Sequence, residues 1–511
     1  MEGSRDAAVV IMKRLVVWLV LLMGTVSPAT AQPLDMAQVR QALVRINVIS
    51  QRPNYAVPWS PGDILSGTGS GFLIARNRIL TNAHVVSDAR MIVLEKDGDP
   101  RRYEARVEFI AHDCDLALLA VDDPQFFSDT RPLRLGGVPA LNSTVAVVGY
   151  PIGGERLSVT RGVVSRIDFQ TYSHSGVDAH LAIQIDAPIN PGNSGGPVLQ
   201  DQSVVGVAFQ VFAAQTAQNV GYMIPTPVIQ RFLGDVADGV YDRYVDLGIY
   251  SFPLINPVLR RAVGLAPGHD GVLVAGVMRA SATHGVLQPE DVLLAIDGLP
   301  IFADGYVLMD GERVLLNEVV ERKFRGDTVR FDILRQGQPR RVEVPLNNPW
   351  PYLMQARRYG VRPRYVIWAG IVFQSLGHDF MLSAQTRDVN LLYHYSQFLT
   401  RDLYLERPEV VVIGKILTDP ANRYFSEFRH RIVASVDGRP VRSLEELKAL
   451  LDAPVDPHVI GLLGSGRPLV VDAREAAASR GRMAAEYGIL EDAHLLDGIV
   501  PRDWAAQGGA P

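Results

Sequence analysis

Between Val39 and Ile224 the apolar residues fall in short runs cut by Gly, Pro, Asp and Asn: GSGFLIA, RILTNAHVV, RMIVLEKDGD, DLALLAV, TVAVVGYP, LSVTRGVVSRI, HLAIQID, PVLQDQSVVGVAFQV and VGYMIP. Short strand-like runs with such breaks predict an all-β barrel or sandwich pair rather than alternating strands and helices. QDQS, between PVL and VVGVAF, reads as a hairpin turn. Thr226, Pro227 and VIQRFLGDV then read as a cap, a proline at the first helical position and a short amphipathic helix ending near Gly239. That helix marks a domain boundary.

Beyond it the pattern repeats once. DVLLAIDGLPI (Asp291 to Ile301) aligns with RIVASVDGRPV (Arg431 to Val441), and each copy follows a buried-strand run, GVLVAGVM and EVVVIGKIL. Further upstream stand the short turns LGI (Leu247 to Ile249) and AGIVF (Ala369 to Phe373). Two copies fall short of a solenoid, which needs about three, and predict two similar small domains instead. NNPWP (Asn347 to Pro351) separates them, since prolines beside polar residues resist regular structure. The expected divisions are 1–31 a leader, 32–239 the strand-rich domain, 240–346 and 347–475 the two repeats, and 476–511 an unassigned tail.

The leader comes from its own polarity pattern. Lys13 and Arg14 precede the apolar run Leu15 to Val26, and Ala29 and Ala31 form an A-x-A site before Gln32. These are the parts of a secretory signal peptide, with cleavage expected after Ala31. The run is shorter than the ~20 residues a spanning helix needs, so no stable membrane span is expected. Met12 is an alternative start. Net charge is 50 minus 55, or −5, with no long basic run, which argues against nucleic acid. Cys114 is the only cysteine, so an exported chain must rely on its cores rather than on disulfides.

Three residues carry the candidate chemistry. Ser194 lies in DAPINPGNSGGPV, where G-N-S-G-G formally matches the nucleophile elbow of α/β-hydrolases; an esterase would need a helix after the serine and its partners downstream. Here Pro197 and a strand-like run follow, and the better partners lie upstream. His84 sits in RILTNAHVV, and Asp115 abuts the apolar run LALLAV. Asp113 competes with Asp115, since alternation would put both on one face. The same alternation sends successive residues of His112 to Asp115 to opposite faces, which opposes a metal site. The order His84, Asp115, Ser194 is that of chymotrypsin. A serine hydroxyl is a poor nucleophile at neutral pH, so His84 would take its proton, worth roughly 10² to 10⁴ in rate, while Asp115 fixes the tautomer of His84. The turn of Gly192, Asn193 and Ser194 would supply oxyanion donors, Gly192 allowing its N–H and that of Ser194 to converge.

SGTGSGFLIA, ILTNAHVV, DCDLALL, VGYP, QIDAPINPGNSGGPV and GYMIP together resemble the HtrA/Deg family of serine endoproteases, over about 38 to 235. The resemblance implies a mainly β fold: a trypsin-like double β-barrel followed by two small α+β PDZ-like domains. It also implies ATP-independent cleavage of misfolded or unfolded proteins, no cofactor, triad roles on His84, Asp115 and Ser194, and assembly as a homotrimer or a multiple of trimers. PDZ domains take an extended peptide onto a sheet edge, and Leu247, Gly248 and Ile249 stand at the place of the carboxylate-binding loop. GERVLLNEVVERKFRGDTVRFDILRQG and RYVIWAGIVFQSL resemble the Deg branch best known from plants, with an atypical second PDZ domain. The leader then implies a periplasmic protein of the bacterial envelope. In trypsin-like folds the base of the primary pocket lies six residues before the nucleophile, here Pro188, so small or medium aliphatic side chains are expected before the cut. The alternative function is a chaperone or binding protein using the same barrels without significant proteolysis.

Overall fold

A computed structural model of the chain describes residues 34–151, 156–211, 221–309, 311–347 and 354–496. The leader, and with it the cleavage site after Ala31, lies outside the described residues, as does most of NNPWP. No helix among the described residues is long and apolar enough to cross a membrane.

Strands β1 (Leu43–Gln51), β2 (Ile64–Ile74), β3 (Arg78–Thr81), β4 (Ala89–Lys96), β5 (Arg102–Ala111) and β6 (Leu116–Ala120) close a barrel in the order β1-β2-β3-β6-β5-β4. Its inward positions, Val44, Ile46, Leu73, Ile79, Leu94 and Leu119 among them, are essentially inaccessible. Closure leaves no strand edge. The second barrel uses β7 (Arg134–Leu135), β8 (Thr144–Gly149), β9 (Ser158–Thr171), β10 (Ala179–Ile185), β11 (Pro197–Gln200), β12 (Ser203–Val211) and β13 (Gly221–Pro225), ordered β11-β8-β9-β10-β13-β12-β7 and closed by β11 pairing with β12. The predicted hairpin is present: Gln200 pairs with Ser203 around Asp201 and Gln202.

The helix Thr226–Asp235 follows, but Thr226 is a buried helical residue and Pro225 occupies the cap. The chain leaves the left-handed cap Gly239 and enters the first module. Its sheet holds β14 (Ile249–Pro253), β15 (Val272–Val277), β16 (Val292–Ile296) with β17 (Leu299–Pro300), β20 (Thr328–Arg335) and β21 (Gln338–Pro345), while β18 (Tyr306–Met309) and β19 (Glu312–Leu315) pair separately. One apolar core runs from Val204 and Phe232 through Val245 and Leu247 to Val274 and Phe331. At roughly 2 to 3 kcal/mol for each fully buried large side chain, such a shared core fastens the first module to the second barrel.

The second module pairs β22 (Tyr365–Trp368), β23 (Ile371–Ser375), β24 (Val411–Ile416) and β29 (Ala493–His494) in the order β24-β23-β22-β29. Another sheet holds β25 (Val433–Val436), β26 (Arg439–Pro440), β27 (His458–Leu462) and β28 (Leu469–Val471). The expected break at 475/476 falls inside the helix Ala473–Tyr487, and β29 pairs with β22, so the supposed tail belongs to this module as far as His494.

Candidate active site

His84 does not sit on a strand. After β3 the chain turns at Asn82 into the one-turn helix Ala83–Val86, which lifts the imidazole out of the barrel wall and leaves its side chain 33% exposed. Asn82 is fully buried and donates from Nδ2 to the Asp115 carbonyl at 2.9 Å. Residues His112 to Asp115 form the turn between β5 and β6 rather than a strand, so alternation does not apply. Asp115 adopts the left-handed conformation (φ 53), which an aspartate tolerates better than most residues, and this separates it from Asp113. Its carboxylate, 1% exposed, accepts from His84 N at 2.8 Å and contacts His84 Nδ1 at 2.7 Å. Asp113 turns the other way, toward Tyr241 Oη at 2.6 Å and Arg243.

These contacts set the charge balance. Burial alone would lower the His84 pKa, but the Asp115 charge and hydrogen bond outweigh it and hold the imidazole above its ordinary value. Burial would raise Asp115; His84, the nearby His174 and the two hydrogen bonds pull it below the usual carboxylate range instead. An imidazole whose Nδ1 is engaged by a carboxylate presents Nε2 as a proton acceptor.

Ser194 is placed by the first barrel. Ser70 of β2 donates its N–H to the Ser194 carbonyl at 2.9 Å and its hydroxyl to the Gly192 carbonyl at 2.7 Å, and accepts from Tyr150 N at 2.8 Å. Thr81 donates to the Ser70 carbonyl, so the Ser194 turn lies against the strand that leads to His84. A Cβ at Gly195 (φ 84) would come within 2.1 Å of the Ser70 oxygen, so only glycine fits there. Ser70 was not among the sequence-based candidates; the glycine-rich SGTGSGF around it was the available signal.

The oxyanion assignment needs one correction. Asn193 donates its N–H to the Asn190 carbonyl at 3.0 Å and is unavailable. Among the described residues the N–H groups of Gly192 (φ 100) and Ser194 donate to no protein acceptor. The Ser194 hydroxyl makes no hydrogen bond to His84 among the described residues. Catalytic hydrogen bonds are often long in unliganded enzymes and tighten when substrate binds.

Pro188 is exposed, with its carbonyl accepting from Thr160 Oγ1 at 2.9 Å, whereas Ile189 turns inward against Ile183, Val198 and Met223. In the first module, Leu247 is buried with its carbonyl held by Thr283, and the Gly248 N–H is taken by Asp246 Oδ1 at 2.6 Å. A backbone donor expected for an incoming carboxylate is therefore occupied by one from the chain itself. In the second module Ala369 and Gly370 form a two-residue hairpin turn joining β22 to β23, since Trp368 pairs with Ile371.

Residues 69–207 match the trypsin-like peptidase domain family, and residues 354–494 match the PDZ domain family. Two closed barrels, with a buried aspartate holding a histidine and a glycine-framed serine tied to the strand that leads to it, define a trypsin-like serine peptidase carrying a PDZ domain. The chain is 35% identical to "Protease Do-like 2, chloroplastic" of Arabidopsis thaliana over 91% of its own length and 77% of that protein. It is 35% identical to "Protease Do-like 4, mitochondrial" of the same plant over 83% of this chain and 78% of the other. The solved structure "HtrA-type protease AlgW with decapeptide" covers 62% of this chain and 98% of its own at 23% identity, with a TM-score of 0.46. The chain belongs to the Deg/HtrA family of serine endopeptidases.

Proposed function

We propose that this protease is an exported, ATP-independent enzyme that degrades misfolded or unfolded proteins with a His84, Asp115, Ser194 triad. The observation that carries the triad is the doubly hydrogen-bonded His84–Asp115 pair, anchored by Asn82 beside the strand that Ser70 ties to the Ser194 turn. Ser194 attacks the scissile carbonyl while His84 takes its proton. Asp115 stabilises the imidazolium without itself becoming protonated. The N–H groups of Gly192 and Ser194 receive the oxyanion, where losing one donor costs roughly 3 kcal/mol. His84 then returns the proton to the leaving amine, and water repeats the sequence on the acyl-enzyme.

Unfolded protein as substrate, assembly in trimers and peptide capture by the modules rest on the family resemblance. Export rests on the Lys13–Ala31 pattern. A preference for aliphatic side chains before the cut rests on the sequence, which has Pro188 and no carboxylate six residues before Ser194. The test is digestion of unfolded casein by the mature protein beside Ser194→Ala, with native mass and N-terminal sequence read from the same preparation. Casein held soluble but uncut would favour the chaperone alternative, and an intact leader would remove export.

A further inference from the structure

The segment leading into the second module crosses the triad region before it reaches its own sheet. Tyr359 donates its hydroxyl to the His174 carbonyl at 2.7 Å, and its ring stacks on two imidazoles, His174 at 4.2 Å and 17° and His112 at 4.6 Å and 19°. His112 Nδ1 and His174 Nε2 lie 2.9 Å apart, so one N–H joins the rings. The next residue, Gly360, donates to Asp88 Oδ1, just past the helix that carries His84. Two adjacent residues thus bridge the β9–β10 loop and the His84 helix. The His174 and His84 rings stand 6.2 Å apart, centre to centre.

We propose that Tyr359 is a positioning residue of the triad, contributed by the second module, which seals the hydrogen-bonded His112–His174 pair behind the His84–Asp115 pair. The inference rests on the triad reading above. An N–H···N bond between two imidazoles needs one ring to accept, so at least one must stay neutral. Burial does this, holding His112 down at about 4 and His174 at about 3. Asp113, Asp115 and Arg243 face His112; Asp115, His84 and Arg357 face His174; Arg357, Asp115 and Asp379 face Tyr359. His378 approaches the same loop at Gly176. A proton gained by the pair would compete with His84 for the charge of Asp115 and oppose the imidazolium that His84 must form. At about 6 Å a unit charge weighs on that step by roughly ten- to a hundredfold. The stacked tyrosine keeps water, and so the proton, away.

The test uses the full-length chain. kcat/KM for a fluorogenic peptide is measured from pH 5 to 9 for the wild type, Tyr359→Phe and Tyr359→Ala. Histidine ring signals are titrated by NMR with the same changes in a Ser194→Ala background. Tyr359→Phe is expected to follow the wild-type profile. Tyr359→Ala should stay within about threefold at pH 8.5, yet lose on the order of tenfold more at pH 6 as the His112 and His174 rings begin to titrate near the ordinary histidine value. Adding His174→Asn should abolish that extra acid loss. A loss equal at every pH, or rings still untitrated above pH 5 in the alanine variant, would overturn the proposal. Should Tyr359→Ala not fold, Tyr359→Leu, apolar but unable to stack, replaces it under the same two readings. Ring titration needs no turnover, so it separates this proposal from the triad reading, which fails if Ser194→Ala still cleaves.

Discussion

The two modules after the protease domain share one hairpin and differ at one edge. In the first, Asp297 (φ 48) and Gly298 (φ 84) turn β16 into β17; in the second, Asp437 (φ 51) and Gly438 (φ 76) turn β25 into β26. Both aspartates accept a backbone N–H at 2.8 Å, from Arg330 and from Val459. Each also meets a basic side chain at 2.7 Å, Lys323 and His458. The strand that follows Gly248 in the first module and Gly370 in the second behaves differently. β14 lies at the rim of its sheet, with Phe252 53% exposed, whereas β23 is buried between β22 and β24. A rim strand can add an extended peptide; a strand paired on both sides has no free ladder. The copies therefore keep their turn chemistry, while among the described residues only the first leaves the strand after its LGI or AGIVF turn on an open edge. The segment preceding the second reaches back to the His84 helix instead.

The sharpest break of that comparison is at Gly370 (φ 74), where a Cβ would fall 2.3 Å from Asn422 Nδ2 and 2.7 Å from the Leu417 oxygen. Gly370→Ala should cost about 3 kcal/mol or more in urea denaturation of the second module. Next comes Arg364, whose guanidinium meets Glu409 at 2.8 Å while that buried carboxylate also accepts from Leu444 N. Arg364→Met strands the charge and should cost about 3 kcal/mol near neutral pH. Burial already raises Glu409 despite its arginine, so the penalty should shrink as the pH falls and the carboxyl takes a proton.

The first module is fastened differently. Its Glu321 pairs with buried His180 of β10, which also contacts the Asp113 carbonyl at 3.2 Å. Burial would lower His180, but Glu321, Asp178 and Asp113 raise it to about 9. A raised histidine stabilises fully below its unfolded value near 6.5 and loses that contribution as the pH climbs through 9. Burial lifts Glu321 itself to about 7, so both partners are charged between about pH 7 and 9. Glu321→Gln should therefore cost about 2 kcal/mol at pH 8 and little at pH 9.5, read as thermal shifts across that range. The smallest effects belong to the shared hairpins. A Cβ at Gly298 or Gly438 meets nothing within 4 Å, so alanine at either costs only the left-handed backbone strain, about 1 kcal/mol. Equal losses at Gly370 and Gly438 would erase the distinction between the packed turn before β23 and the hairpin that both copies share.

The parts legible in sequence were those with local causes. Asp-Gly announces a tight hairpin wherever it occurs, and Pro197 opening β11 rules out the strand-serine-helix elbow. His84, Asp115 and Ser194 stood out because their order is itself a signal. What escaped depends on contacts between distant segments. Ser70 looks like one more residue of a glycine-rich run until it bonds Gly192 and Ser194. The Asn193 N–H is spent on a turn, and Pro188 and Ile189 divide surface from core by a twist no spacing reveals. Tyr359, 185 residues from the His174 carbonyl it bonds, carries no motif. The tail lacked an assignment because β29 is a strand only by virtue of pairing with β22.

The most direct test of the triad is a fluorophosphonate probe followed by casein digestion on wild type, Asp115→Asn and Ser194→Ala. The wild type should label at Ser194 and digest casein. Asp115→Asn should lose roughly 10⁴ in kcat, and Ser194→Ala should neither label nor cleave. Casein digestion by Ser194→Ala at a rate near that of the wild type would contradict the account.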